Sequence, residues 1–323
     1  MKAVFRLPFS QEFLWIEHQK EGKNLVKIKS FDEKKSIDLH ATQFEILNEE
    51  SLQKKLSNFI LTNEFSQNLK IPSHEEYLQK LKKAINIIKG NHLPKLVISR
   101  PVLKKISSFN LVDSYINICQ KYQNTLCYLL FNETEIWLGA TPEILGKFNK
   151  KNHEFFTMSL AGTLPLEEEW SNKEIEEQKP VTDYILNILK GFSKDIHQSE
   201  TYNHISGNIK HLRTDFTAKI DEKDLEQLIS ELHPTPAVCG IPKAFCKEKI
   251  LEIEAYNREF YAGYIKIETE EEIFYFVNLR CAKLYKNHIV AFAGGGITAK
   301  SSPEKEWKET ELKSEAILHN LKF

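Results

Sequence analysis

HIVAFAGGGITAKSSPEKEWKETELK, residues 288–313, carries a strand, a glycine run and a charged helix in immediate succession. The apolar run HIVAFA reads as the strand. Gly294, Gly295 and Gly296 follow it, and two readings fit them: backbone N–H groups approaching a carboxylate, or a tight strand-to-helix turn. A dinucleotide fingerprint is excluded, because no parallel strand–turn–helix with a downstream acid follows. Ser302 suits a helix N-cap and Pro303 the first helical position. Glu306, Glu309 and Lys313 then fall at i, i+3 and i+7 along one stripe. Lys313, four residues after Glu309, can pair with it or reach an anionic ligand.

A second glutamate pair with the same spacing, Glu174 and Glu177, lies in SNKEIEEQKPVTDYI, residues 171–185. Two carboxylates on one helix face repel unless a cation or water separates them. Spacing alone fits two solvated faces. It equally fits two facing helices whose carboxylates offer hard oxygen donors to Mg²⁺ with some waters retained.

Working outward, Ser73-x-x-Glu76 reads as a capping box, followed by Tyr77, Leu78, Leu81, Ala84, Ile85 and Ile88 at helical spacing and by Gly90 where a C-terminal cap belongs. KLVISRPVL, TLCYLLF, EIWLGA, FFTMSLAGT, YAGYIKIE and IFYFVNLRCAKL read as strands, and Val181, Tyr184, Ile185, Ile188 and Leu189 share a helix face. The pattern predicts an α/β chain of the α+β type, with large, mainly antiparallel sheets packed face to face and helices outside. We expect one domain over residues 1–323, its first 72 residues without a readable motif and 73–323 forming the core.

The 323 residues include 44 basic and 45 acidic side chains, net charge −1. That balance gives no sign of a nucleic-acid binder. No apolar run approaches a membrane span, and the N-terminus lacks a signal peptide's form. The five cysteines form no CxxC pair, which fits a reduced cytoplasm. A soluble cytoplasmic globule is expected.

Several residues can carry chemistry. Lys95 opens the strand KLVISR, where partial burial makes a general base and full solvation makes nothing. Glu143 closes the turn GATPE, either as an exposed turn residue or as an acid held to protonate a leaving group. Arg280, if it points inward, needs an anion. His233, before Pro234, is either a loop histidine or a contributor to the site.

In series KLVISR, GATPE, LAGT, KEIEEQKPVTD, HPTPAVCGIP, REFYAG, LRCAKL, AGGGI and SSPEKEWKET resemble the chorismate-binding enzymes, in that family's order, across residues 73–323. The resemblance implies Mg²⁺ as cofactor and chorismate as substrate. It makes Glu177 and Glu309 direct metal ligands, and Glu174 and Glu306 ligands through water. Lys95 becomes the base that activates water and Glu143 the acid at the leaving hydroxyl. Gly162, Thr163, His233, Ala237, Tyr261, Arg280, Gly294 and Lys313 are implied to line the substrate site.

Within the family, the combination of Lys95, Ala161 and Ala237 resembles isochorismate synthases, which feed menaquinone or catechol siderophore synthesis. The alternatives are a salicylate synthase, an aminating member, or a non-catalytic protein of the same fold. Water as nucleophile implies no glutaminase subunit, and a monomer is expected. Gln178 stands where the family usually has histidine, and Lys266 where it often has glycine. Pro180 is expected to kink the helix and shift Glu177.

Overall fold

The computed structural model describes the chain except residues 58, 60, 66–68, 207 and 208, and except the side chains of Thr163, Lys173, Glu177, Ser206 and Ile209. Its strands form two large sheets in which every described pairing is antiparallel. The first runs Gly240–Ile241, Lys95–Lys105, His288–Ile297, Cys281–Leu284, Ile136–Thr141, Leu126–Phe131, Lys2–Arg6, Phe13–Glu17 and Glu45–Leu47. The second runs Ile196–Gln198, Ile209–Lys219, Glu154–Pro165, Ile144–Asn149, Glu272–Val277, Tyr264–Glu268, Lys23–Lys29 and Ser36–Ala41, with Tyr202–Ser206 also paired to Ile209–Lys219. The helices are α1 (Glu49–Leu56), α2 (His74–Asn91), α3 (Leu111–Lys121), α4 (Asn172–Phe192), α5 (Leu225–Leu232), α6 (Lys243–Glu254) and α7 (Pro303–Leu318). Residues 1–47, opaque in the sequence, supply strands to both sheets.

The strand Leu126–Phe131 explains the layering. All six of its residues are buried, and successive side chains of a strand face opposite ways. Leu126, Tyr128 and Leu130 enter the core shared with Val26, Phe148 and Tyr275 of the second sheet. Cys127, Leu129 and Phe131 enter a separate core with Leu52 of α1 and Tyr115 and Ile118 of α3. A strand sandwiched between a partner sheet and helices must be apolar on both faces, hence the unbroken LCYLLF. Each such side chain contributes about 1.5–3 kcal/mol by burial. Helices α4 and α5 pack against the second sheet through Val181, Ile185, Leu225 and Ile229. The five cysteines are unpaired and buried.

Four local expectations change. The capping box of α2 forms, with Ser73 Oγ accepting from Glu76 N and Ser73 N donating to Glu76 Oε2. The helix nevertheless runs past Gly90 to Asn91, and His92 takes the left-handed cap at φ 52°. Ser302 holds the N-cap position of α7 without a side-chain capping bond, so Pro303 alone marks the start. The glycine run is neither turn nor loop. It lies inside the strand His288–Ile297, with Gly294, Gly295 and Gly296 opposite Ser99, Ile98 and Val97. Helix α4 continues through Pro180 without interruption.

Candidate active site

One cavity of about 180 Å³ gathers most of the residues singled out in the sequence. Lys95, Glu143, Gly162, Glu174, Ala237, Tyr261, Arg280, Gly294, Glu306, Glu309 and Lys313 all line it. Its volume is well above that of a single water. Lys95 arrives from the start of its strand and is only 6% exposed. Gly240, at φ +140°, lets the chain after the HPTPAVCG loop close onto this point. A Cβ there would fall 2.6 Å from the Lys95 carbonyl oxygen. Arg280 enters from a residue at φ 46°, its carbonyl accepting from Ala140 N at 3.1 Å, and burial pulls its pKa down from the usual arginine value.

Glu143 lines the cavity with Lys95. It is buried, and desolvation pushes its pKa up to about 7, against the opposing pull of a hydrogen bond from Thr235 Oγ1 (3.1 Å) and of the positive charge of Lys95. Desolvation penalises the charged form, and here it outweighs both stabilisers. An acid with that pKa is half protonated near neutrality and can deliver its proton.

Glu174, Glu306 and Glu309 line the same cavity. Glu174 is buried and accepts from Ser171 N (3.0 Å) and Ser171 Oγ (2.5 Å). Gly162, left-handed at φ +67°, makes room for it: a Cβ at residue 162 would lie 3.2 Å from Glu174 Cβ. Glu306 and Glu309 come from α7 and meet over Gly295. A Cβ on Gly295 would stand 3.2 Å from Glu306 Oε2 and 3.6 Å from Glu309 Oε1, so the missing side chain is the space both carboxylates use. Lys313 pairs with Glu309 Oε1 at 2.6 Å and donates to the Gly294 carbonyl at 3.0 Å. Glu177 belongs to the same helix as Glu174, but its side chain, like that of Thr163, lies outside the described residues. Among the described residues no group of three or more His, Cys, Asp and Glu side chains is arranged as a metal cluster.

Tyr261 is buried, stacked on Phe292 with ring centroids 5.8 Å apart, and its hydroxyl abuts Gly294. Gln178 is buried under α4 and donates to Ser159 Oγ at 2.8 Å, which ties the helix to the strand Glu154–Pro165. Lys266 faces away from the cavity, paired with Glu226 and Glu268.

His233 is not on the cavity wall. It is buried behind it, with Nε2 3.1 Å from the Ala262 carbonyl and its ring edge-on to Tyr264 at 5.1 Å. Burial lowers its pKa and keeps it neutral, so it braces the loop that carries Thr235 and Ala237. The imidazole that does line the cavity is His211, which sequence reading missed. It sits 3.0 Å from the Gly162 carbonyl through Nδ1, and burial pulls its pKa down to about 4. The positive charges of Lys313 and Arg280 push the same way. Nothing in KHLRTDF marks this histidine, because its significance rests on a contact with the distant Gly162.

The family model of the chorismate binding enzymes matches residues 9–322. Isochorismate synthase EntC of Escherichia coli (strain K12) is 30% identical over 268 residues, covering 77% of this chain and 68% of that protein. Among solved structures, the 2,3-dihydroxybenzoate-specific isochorismate synthase DhbC of Bacillus anthracis aligns with TM-score 0.79 and 21% identity over 98% of this chain and 95% of its own. MenF, the menaquinone-specific isochorismate synthase of Escherichia coli, aligns with TM-score 0.81 and 18% identity over 99% and 88%. At these identities the two structures speak for the fold.

Proposed function

The chain belongs to the chorismate binding enzymes, and we propose that it is an isochorismate synthase converting chorismate to isochorismate in menaquinone or catechol siderophore synthesis. The observation that carries this reading is that Lys95 and a half-protonated Glu143 line one cavity together with Glu174, Glu306 and Glu309. Lys95 takes a proton from water, and the resulting hydroxyl adds at C2 of the ring. The ring double bonds shift and the C4 hydroxyl departs with the proton of Glu143. One water enters and one leaves, and no electrons are gained or lost. The acid is made available by desolvation, and the base is held a short way across the same cavity.

Chorismate brings two carboxylates. Arg280 and Lys313 are cations on the wall fitted to hold them. The glutamates suit Mg²⁺: their donors are hard oxygens, and the empty space over Gly295 is a cradle that two carboxylates share. Glu177 and Glu309 are proposed as direct ligands, with Glu174 and Glu306 acting through water. Bound Mg²⁺ supplies a positive charge that neutralises the ring carboxylate among acidic side chains. Neutral His211 holds the Gly162 carbonyl and adds no charge to that arrangement. Tyr261, Ala237 and Gly294 give the ring a close-fitting wall, and Thr163 is proposed to extend it.

Ala161 and Ala237 leave this wall without the nucleophilic or hydroxyl side chains of the aminating and pyruvate-releasing relatives. We propose a monomer without a glutaminase subunit, because water as nucleophile needs no ammonia-supplying partner, and a cytoplasmic location, which the five unpaired cysteines suit. No described helix is long and apolar enough to cross a membrane. Purified protein incubated with chorismate and Mg²⁺, with products resolved by chromatography, tests the proposal. Isochorismate is the expected product; salicylate with pyruvate, or no turnover, overturns it.

A further inference from the structure

Arg100 lies on the strand that Lys95 opens, yet it does not line the cavity. It is 4% exposed and faces α7. Its Nε donates to Thr310 Oγ1 at 2.8 Å. Its guanidinium lies 3.5 Å from the Trp307 ring centroid and 5.6 Å from that of Tyr77. Nη2 makes no hydrogen bond and is 3.9 Å from Glu311 Oε1. Thr310 is itself fully buried and donates to the Trp307 carbonyl at 2.7 Å. Trp307, Thr310 and Glu311 form one stripe of α7 at i, i+3 and i+4. Glu306, Glu309 and Lys313 form the adjoining stripe, each one or two positions earlier or later along the same turns.

A buried guanidinium with an unsatisfied nitrogen is a poor stabiliser, and an apolar side chain would fill the place at lower cost. Its geometry suits another task. It joins the strand bearing Lys95 to the helix bearing the glutamates, through a directional bond and a planar stack. Helix side chains reach about 5–6 Å from the axis, so a 10° rotation of α7 moves a carboxylate by about 1 Å. Metal ligands tolerate only about 0.2 Å.

We infer that Arg100 is a positioning residue for the divalent-cation site: it fixes the rotation of α7 so that Glu306 and Glu309 meet over Gly295. The inference rests on the reading of the glutamates as a cation site. Burial lowers the arginine's pKa from its usual value, and at neutral pH it remains cationic.

Mn²⁺ titration followed by electron paramagnetic resonance tests the inference without turnover. The wild-type protein should bind Mn²⁺. Arg100→Gln should weaken that binding by about 10–100-fold, the usual cost of losing a group that orients a metal ligand. The metal concentration for half-maximal activity should rise by the same factor, with kcat at saturating metal within a few-fold. Arg100→Lys keeps the cation but not the planar fork and should recover only part of the affinity. If Arg100→Gln does not fold, Thr310→Val removes the bond from Arg100 Nε, together with Thr310's own bond to the Trp307 carbonyl, while leaving the guanidinium in place, and should still weaken binding several-fold. Unchanged Mn²⁺ affinity in the folded variants, beside a wild type that binds, overturns the positioning role and leaves the cation site standing. A wild type that binds no Mn²⁺ overturns the cation site and this inference with it.

Discussion

Thr235→Val isolates the hydrogen bond that, beside the positive charge of Lys95, opposes the desolvation of Glu143. The hydroxyl of Thr235 donates to Glu143 Oε1 at 3.1 Å, and valine is close in shape, so the substitution removes a bond and little volume. A hydrogen bond to a charged group contributes about 1.5–3 kcal/mol. It stabilises the carboxylate form only, so its loss raises the pKa by about 1–2 units at 1.36 kcal/mol per unit. In the wild type the catalytically useful proton on Glu143 is lost as pH rises through about 7. The alkaline limb of kcat/KM for isochorismate formation should therefore fall with a midpoint near that value, because kcat/KM reports the free enzyme. In Thr235→Val the midpoint should move up to about 8–9. Initial rates across pH 5–10 at subsaturating chorismate measure this. An alkaline limb that stays put in an active, folded Thr235→Val protein refutes Glu143 as the acid.

Lys95→Gln should lower isochorismate formation by about 10²–10⁴-fold, as for loss of a general base, while Mg²⁺-dependent chorismate binding by calorimetry stays largely intact; near-normal turnover would show the base lies elsewhere. Gly295→Ala inserts a Cβ 3.2 Å from Glu306 Oε2, so divalent-metal affinity should drop about tenfold or more while the melting temperature moves little, and equal affinity would mean the carboxylates do not meet there. Glu143→Gln should abolish turnover yet stabilise the fold at alkaline pH. The folded-state pKa of Glu143 is raised to about 7, so folding is unpenalised below the unfolded-state value and loses stability as pH rises between the two. Above pH 7 the full penalty applies, and the amide should gain on the order of 3 kcal/mol in denaturant titrations, with no gain at pH 4.

Periodicity and local chemistry were enough to place strands such as Lys95–Lys105, Leu126–Phe131 and Ile136–Thr141, the capping box of α2 and the stripe Glu306, Glu309 and Lys313 on α7. The strands of residues 1–47 and Ile209–Lys219 went unread, and IFYFVNLRCAKL divides into Glu272–Val277 of the second sheet and Cys281–Leu284 of the first. Local patterns failed where the decisive partner is distant in the chain. The GGG run left a carboxylate-binding reading and a tight-turn reading open, because a local window cannot show that Ser99, Ile98 and Val97 pair with it, or that two carboxylates fill the space over Gly295. His233 and His211 exchanged places for the same reason: one is bonded to Ala262 behind the wall, the other to Gly162 on it. Lys95 and Glu143 were joined only by resemblance, since no spacing rule brings residues 48 positions apart to one cavity. What the fold adds is a concentration of cost. Lys95, Glu143, Glu174, Thr235 and Glu306 are each under a tenth exposed, and all but Thr235 lie on the cavity wall itself. Desolvating so many polar groups opposes folding, whereas the buried charges Glu254 and Arg258, away from the cavity, pair with each other at 2.6 Å. A chain selected for stability alone would scatter or neutralise them. Their convergence on one cavity, with left-handed Gly162 and side-chain-free Gly295 opening room for the carboxylates, is the physical ground for proposing a site that takes a dianion and a cation together.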